Sequence, residues 1–133
     1  MSIVKQTVEA IDKTIVFLNQ DHVGFLTGDY YEFTDGDHIG LSKFKENSHR
    51  KCNVCLEGAF YGAVGYKYML DRLDYNKDEG LFVNIENFIN TYYQKLFGKS
   101  IVRYNDQICK SKQDQIDSLV KVKAAILADN PLD

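Results

Sequence analysis

Three stretches of this 133-residue chain carry side chains that bind metals or move protons. In "LDYNKDEGLFVNIE", Leu73 to Glu86, Asp74, Asn76 and Asp78 alternate, a glycine follows and a glutamate closes the run. A calcium loop of the EF-hand type takes ligands at loop positions one, three and five, a glycine at six and a bidentate glutamate at twelve. Counted from Asp74, Glu79 stands at the sixth place, Gly80 at the seventh and Ile85 at the twelfth, with Glu86 one too far. The glycine makes the sharp turn that brings the last ligand round, so the shift matters. The stretch reads as a polar turn between two helices.

His49, Cys52 and Cys55 read H-x-x-C-x-x-C, the spacing of half a zinc site. A structural zinc needs a fourth ligand, which Cys109 or His38 would have to supply without any spacing to point to them. Cys55 falls among small residues on a helical face, where a free cysteine behaves as a small apolar side chain. No metal and no cofactor is therefore expected. Cys55 with a distant histidine has no local signature of a nucleophilic dyad. Asp29, Asp35 and Asp37 lie in a glycine-punctuated loop whose turns account for them. There is no Walker loop and no G-x-G-x-x-G. The lysines of "KSKQDQIDSLVKVKAA" are interrupted by Asp114 and Asp117 and read as a solvated helix face.

Composition narrows the classes further. The chain is 44% hydrophobic, enough for one domain, 1–133, with a single core. Its net charge of -3 and pI near 5.6 give no electrostatic reason to expect nucleic acid. No apolar run reaches the roughly 18 residues of a membrane span, so no membrane partner is expected. The residues after Met1 lack a signal-peptide pattern. Three cysteines form no secreted disulfide framework, so the expected compartment is the reducing cytoplasm. A single proline, Pro131, and abundant Lys, Asn, Ile and Tyr are compositional signs of an AT-rich bacterial or phage genome.

The elements that would position these groups are mainly helical. Val4, Val8, Ile11, Ile15 and Leu18 form a stripe at helix period, with Ser2 as N-cap and an end near Asn19. From Asp21 to Lys51 the period fails, and "DYYEF" and "TDGDH" predict one or two short strands, or a hairpin, packed on the helices through Phe25, Tyr31 and Phe33. A second helix is expected from near Cys52 through "CNVCLEGAFYGAVGYKYMLDRL", breaking near Gly65 into a further helix around Tyr68 to Leu73. Its glycines each cost about 1 kcal/mol relative to alanine, which implies a close helix crossing. Phe82, Ile85, Ile89, Tyr92 and Leu96 predict a helix from about Asn84 to Phe97, stopped by Gly98. "SIVRYND" reads as a short extended segment and turn. Ser111 and Asp114 start a last helix, with Ile116, Leu119, Val120, Ala124 and Leu127 as its buried stripe. The expected fold is a mainly α, single-domain bundle of four to five helices, with a short β-hairpin or irregular loop between the first two.

Two short motifs add a resemblance. "CLEGAF" has the form C-x-x-G-A-hydrophobic, and "IVRYND" ends in aromatic-Asn-Asp before a capped helix. Together they resemble a family of small bacterial and phage proteins known as a domain of unknown function, whose usual pattern has C-A-L-G-A-L and W-N-D. Cys55, Gly58 and Ala59 match the first motif, and Asn105 and Asp106 the second. "GFLTG", Gly24 to Gly28, matches a G-W-x-x-G element with Phe25 in place of Trp. The similarity would span Val8 to Leu127. This chain departs from it with Tyr104 for Trp, Glu57 for an apolar residue and no G-R-T before the last helix. The resemblance implies no activity. Physically, the motif residues read as a small helix face and an Asn-Asp turn that bonds backbone.

With no catalytic constellation, the leading expectation is a small non-enzymatic binding protein acting on a host protein, its contact surface drawn from the aromatic loop Phe25 to Phe44. The alternative is sequestration of a small nucleotide-like ligand in a pocket of Tyr30, Tyr31, Tyr61, Tyr66, Tyr92, Tyr93 and Tyr104. Arg50, Arg72 or Arg103 would then meet a phosphate. The residues named for such a ligand site are Tyr30, Tyr31, Tyr104 and Arg103. A third reading is a hydrolase or transferase using the His and Asp residues of the loop.

Overall fold

The first helix, α1 (Ile3–Leu18), begins where Ser2 Oγ accepts the Lys5 backbone N–H at 3.2 Å and ends at Asn19. Its buried face is turned from the expected stripe. Thr7, Ala10, Ile11, Thr14, Phe17 and Leu18 are buried, while Val4, Val8 and Ile15 are partly so. Thr14 can occupy this face because its hydroxyl donates to the Ala10 carbonyl at 2.8 Å. The protein is described by a computed structural model, which covers residues 2–71, 74–76 and 81–131.

The segment after α1 forms no hairpin. Strands β1 (Val23–Phe25) and β2 (Tyr31–Phe33) are separated by β3 (Cys52–Val54), in the order β1-β3-β2. β1 runs parallel to β3 and β2 antiparallel to it. Cys52 and Val54 are buried and Asn53 between them is not, which is the two-residue period of a strand. The second long helix therefore does not start near Cys52. A short helix, α2 (Phe44–Asn47), precedes β3, and Phe44 stacks on Tyr31 with ring centroids 4.0 Å apart.

Cys55 is the N-cap of α3 (Leu56–Val64), its Sγ accepting the Gly58 N–H at 3.3 Å. The expected break at Gly65 is present, with φ at +100°, and α4 (Tyr66–Leu70) follows. The glycines do allow close approach, though not all to helices. A Cβ on Gly62 would lie 2.9 Å from the Phe17 ring of α1, which fits the expected crossing. A Cβ on Gly58 would lie 1.7 Å from the Tyr30 carbonyl oxygen, so that glycine admits a loop backbone instead.

The stretch read as a polar turn between helices contains paired strands, β4 (Asp74–Asn76) and β5 (Leu81–Val83), antiparallel with Asp74 opposite Val83. Its residues 77–80, with Asp78, Glu79 and Gly80, lie outside the described residues, as do Arg72 and Leu73. Asn84 caps α5 (Ile85–Phe97), and Gly98, left-handed at φ +69°, ends it as expected. Leu96 is exposed, and Tyr93 takes the buried place.

"SIVRYND" is helical, not extended: Ser100 caps α6 (Ile101–Gln107) by accepting the Arg103 N–H at 3.3 Å. Ser111 caps α7 (Lys112–Asp129) through Asp114 N, on the scale of about 1 kcal/mol for such a cap. The buried face of α7 is Gln115, Ile116, Ser118, Leu119, Val122 and Ile126, with Val120 and Ala124 outside it. The fold is mainly α, and the seven α-helices among the described residues exceed the expected four to five. One core joins α1, α3, α5 and α7 with the inner face of the three-stranded sheet. Among the described residues no helix is long and apolar enough to cross a membrane.

Candidate functional site

Asn105, 1% exposed, is where three elements meet. Its Oδ1 accepts the backbone N–H of Leu56 and the Gln115 side-chain N–H, each at 3.0 Å. Its Nδ2 donates to the Leu26 carbonyl at 2.9 Å. One side chain of α6 thus joins the start of α3, the face of α7 and the end of β1. Beside it, Asp106 Oδ1 accepts the Gly28 N–H at 3.1 Å and the Asn105 Nδ2–H at 3.2 Å. Gly28 meets that carboxylate with φ at +83°, a conformation costly to residues with a Cβ.

These bonds fix the β1–β2 connection over the end of α3 and leave a cleft of about 270 Å³ between them. It is lined by Gly28, Asp29, Tyr30, Cys55, Glu57, Val102, Asn105 and Asp106. Tyr30 stands on a backbone that cannot shift freely. Its carbonyl accepts the Cys55 N–H at 3.1 Å and abuts Gly58, and its own N–H is held by Asp29 Oδ1 at 2.7 Å. Its ring is 43% exposed and packs edge-on against Tyr61, centroids 5.7 Å apart. The lining holds three carboxyl side chains and no Lys, Arg or His.

Glu57 is the most perturbed of the three. Burial, followed by the charge of the neighbouring Glu86 and a hydrogen bond to it, pushes its carboxyl up to about 8. Glu86, in the first turn of α5, accepts the Tyr61 hydroxyl in a short hydrogen bond, and the same hydroxyl lies 3.3 Å from Glu57 Oε2. Burial holds the Tyr61 hydroxyl protonated well above its ordinary range. A second cleft of about 300 Å³, lined by Glu57, Glu86, Asn90, Ser100 and Val102 among others, opens on the other side of the pair. Burial also pushes the Cys55 thiol up to about 12, which leaves it a poor nucleophile at neutral pH.

The residues named from sequence for a ligand site are divided. Tyr30 and Tyr31 both line a third depression of about 480 Å³, on the other side of the Asp29–Tyr30 ridge. Tyr31 is largely committed to packing, stacked on Phe44 and donating its hydroxyl to the Ile39 carbonyl. Tyr104 is half-buried against Phe97 and Tyr93, with centroids 4.4 and 5.5 Å away, and Arg103 is exposed on α6. Neither lines these three clefts.

The other sequence candidates are occupied structurally. Asp35 and Asp37 both pair with Arg50, at 2.8 and 3.0 Å, and the guanidinium lies over the Phe33 ring. The Asp37 N–H, then Arg50, hold the Asp35 carboxyl below its usual range. His22 Nε2 bonds the Ser48 carbonyl at 2.8 Å. His49 is exposed while Cys52 and Cys55 are buried. Among the described residues, no group of three or more His, Cys, Asp or Glu side chains is placed to hold a metal ion.

Sequence reasoning missed Glu57 and Glu86 as a pair. Glu57 is the sole charged residue of the run "CLEGAFYGAV", one turn before Tyr61 on the same face, and that was a readable signal. Its partner on α5 had no comparable mark. Asn105 and Asp106 do bond backbone as the sequence suggested, but from within a helix. No family model, curated protein or solved structure shows significant similarity to this chain.

Proposed function

We propose that this protein is a small non-enzymatic binding domain that receives a cationic side chain of a partner protein, arginine or lysine, in the cleft under Tyr30. The observation that carries the reading is that Tyr30, on a backbone held by hydrogen bonds, lines one cleft with Asp29, Glu57 and Asp106 and without any basic residue. A guanidinium or ammonium there gains both a ring face and carboxylate acceptors. Each contact is worth about 1 kcal/mol or somewhat more, and a fixed ring loses little entropy on binding. The sequestration of a nucleotide is less favoured, since Asp29 and Glu32 at the larger depression would repel a phosphate.

The test is an NMR titration of the protein with N-acetyl-arginine amide and with N-acetyl-lysine amide, raised to tens of millimolar, the range matched to the roughly 3 kcal/mol that several such contacts supply together. Saturable shifts are expected at Gly28, Tyr30 and the Asn105 side-chain amide, and they should vanish in Tyr30→Ala. Absence of saturable shifts at these positions, or equal shifts with an anionic control such as N-acetyl-aspartate amide, would overturn the reading.

A further inference from the structure

We infer that Glu57 and Glu86 share one proton through Tyr61, and that loss of this proton adds a negative charge to the cleft and loosens the junction of α3 with α5. Two carboxyl groups from different helices converge on one phenol oxygen. A tyrosine hydroxyl has a single proton to donate, and here it goes to Glu86. If both carboxyls were ionised, Glu57 would face an oxygen lone pair and a second anion at once. A proton on Glu57 removes both repulsions, as in acid pairs that cannot ionise together.

Among the described residues no cation offers another solution, and neither carboxyl takes part in an ion pair. The groups facing Glu57 from each side are Cys55 and Tyr61 of its own helix, Glu86 of α5, Asp29 and Tyr30 of the β1–β2 connection, and Asp106 of α6. Tyr66 of α4 reaches the site through Tyr61, with centroids 5.4 Å apart. None of these is a cation, so none offsets burial and the Glu86 charge, and only the Tyr61 hydrogen bond acts in the opposite direction. Burial and Glu86 set the titration near pH 8, and the Glu57 charge raises the Tyr30 hydroxyl in turn.

Glu57 lines both clefts, so its proton sets the charge met by any group entering either. The consequence for binding rests on the function proposed above; the shared proton itself does not. The experiment therefore has two arms. In the first, the side-chain carboxyl carbons of wild-type protein are followed by NMR from pH 4 to 10, a window set by the ordinary glutamate value and the raised one. The Glu57 resonance is expected to titrate with a midpoint near 8, accompanied by Tyr61 and Asn87 amide shifts. In Glu86→Gln, which keeps an acceptor for Tyr61, the midpoint should fall by at least about one unit.

In the second arm, N-acetyl-arginine amide is titrated at pH 6.5 and pH 9. At least about twofold tighter binding is expected at pH 9, the scale of one added unit charge in a solvated site. A Glu57 midpoint below about 5.5, near the ordinary carboxyl value, would overturn the shared proton. Equal affinity at both pH values, with Glu57 titrating near 8, would overturn the coupling to the cleft. No binding at either pH, again with Glu57 titrating near 8, would remove the proposed function and leave the shared proton standing.

Discussion

The backbone N–H of Leu56 donates to Asn105 Oδ1 across 3.0 Å, so the first residue of α3 hangs from a side chain of α6, 49 positions away. A helix start normally turns to its own N-cap and to water for such partners. Here Cys55, a weak acceptor, serves Gly58, and Asn105 serves Leu56.

Asn105→Ala should accordingly be severe. It takes one partner each from the Leu56 N–H, the Leu26 carbonyl and the Gln115 amide, the last of which keeps the Val54 carbonyl. A loss of about 2 to 4 kcal/mol is expected, from several buried polar groups losing one hydrogen bond each. Urea unfolding of the variant measures it. A change below about 0.5 kcal/mol, the scale of ordinary surface substitutions, would contradict the role assigned to this residue.

The two close-packed glycines of α3 should respond differently. A methyl on Gly58 meets the backbone oxygen of Tyr30 at 1.7 Å, and the clamped loop cannot retreat. Gly58→Ala is expected to cost about 3 kcal/mol and to weaken any binding at Tyr30. A methyl on Gly62 meets the Phe17 ring at 2.9 Å and the Phe44 ring at 3.0 Å, side-chain atoms rather than backbone. Gain in helix propensity of about 1 kcal/mol offsets that strain, so Gly62→Ala should be near neutral. Gly62→Leu should cost about 1 to 3 kcal/mol by overpacking the crossing with α1.

Stability should fall with rising pH across an unusual window. The Glu57 carboxyl is raised in the folded protein to about 8, above its ordinary 4.5. Between those values the folded state holds a proton that the unfolded chain has released, so stability decreases as pH rises. The contribution is full below about 4.5 and gone once pH has passed through 8. Because Glu57 is partly solvated, a loss of only about 1 to 2 kcal/mol is expected after screening. The urea midpoint of wild type should drop between pH 5 and 8.5 relative to Glu57→Gln, whose profile lacks this group. Parallel profiles for the two proteins would contradict the raised carboxyl.

Thiol chemistry should be slow. Cys52, Cys55 and Cys109 are buried and free, and burial pushes them up to about 11, 12 and 12. Labelling by a disulfide reagent at pH 8 should be about two orders of magnitude slower in the folded protein than in urea. Fast labelling of Cys55 in the folded state would show that the cleft opens more widely than its 7% exposure indicates.

The sequence alone determined the helices whose signals are local. Ser2 and Ser111 cap α1 and α7, Gly98 ends α5, and the local signals placed α1 and α5 to within a residue or two at each end and α7 at its start. Such caps and stripes act within one or two turns, so a short window contains their whole cause. The facing of those helices was less legible, since Thr7, Thr14 and Gln115 are buried despite their polarity. Thr14 and Gln115 are admitted to the core by hydrogen bonds to the Ala10 and Val54 carbonyls.

Only the tertiary structure decided the three-stranded sheet, α6 and the cleft. Each strand is three residues long, too short for alternation to show, and β3 becomes a strand because β1 and β2 flank it. "SIVRYND" is helical because Ser100 caps it locally and Asn105 is held from 49 and 79 positions away, at Leu56 and Leu26. Glu57 and Glu86 lie on different helices, and their shared proton depends on a distance and a burial that no local pattern encodes. Composition and periodicity specify which faces must be covered. Which loop covers them, and so which carboxyls meet, is settled by hydrogen bonds between residues far apart in the chain.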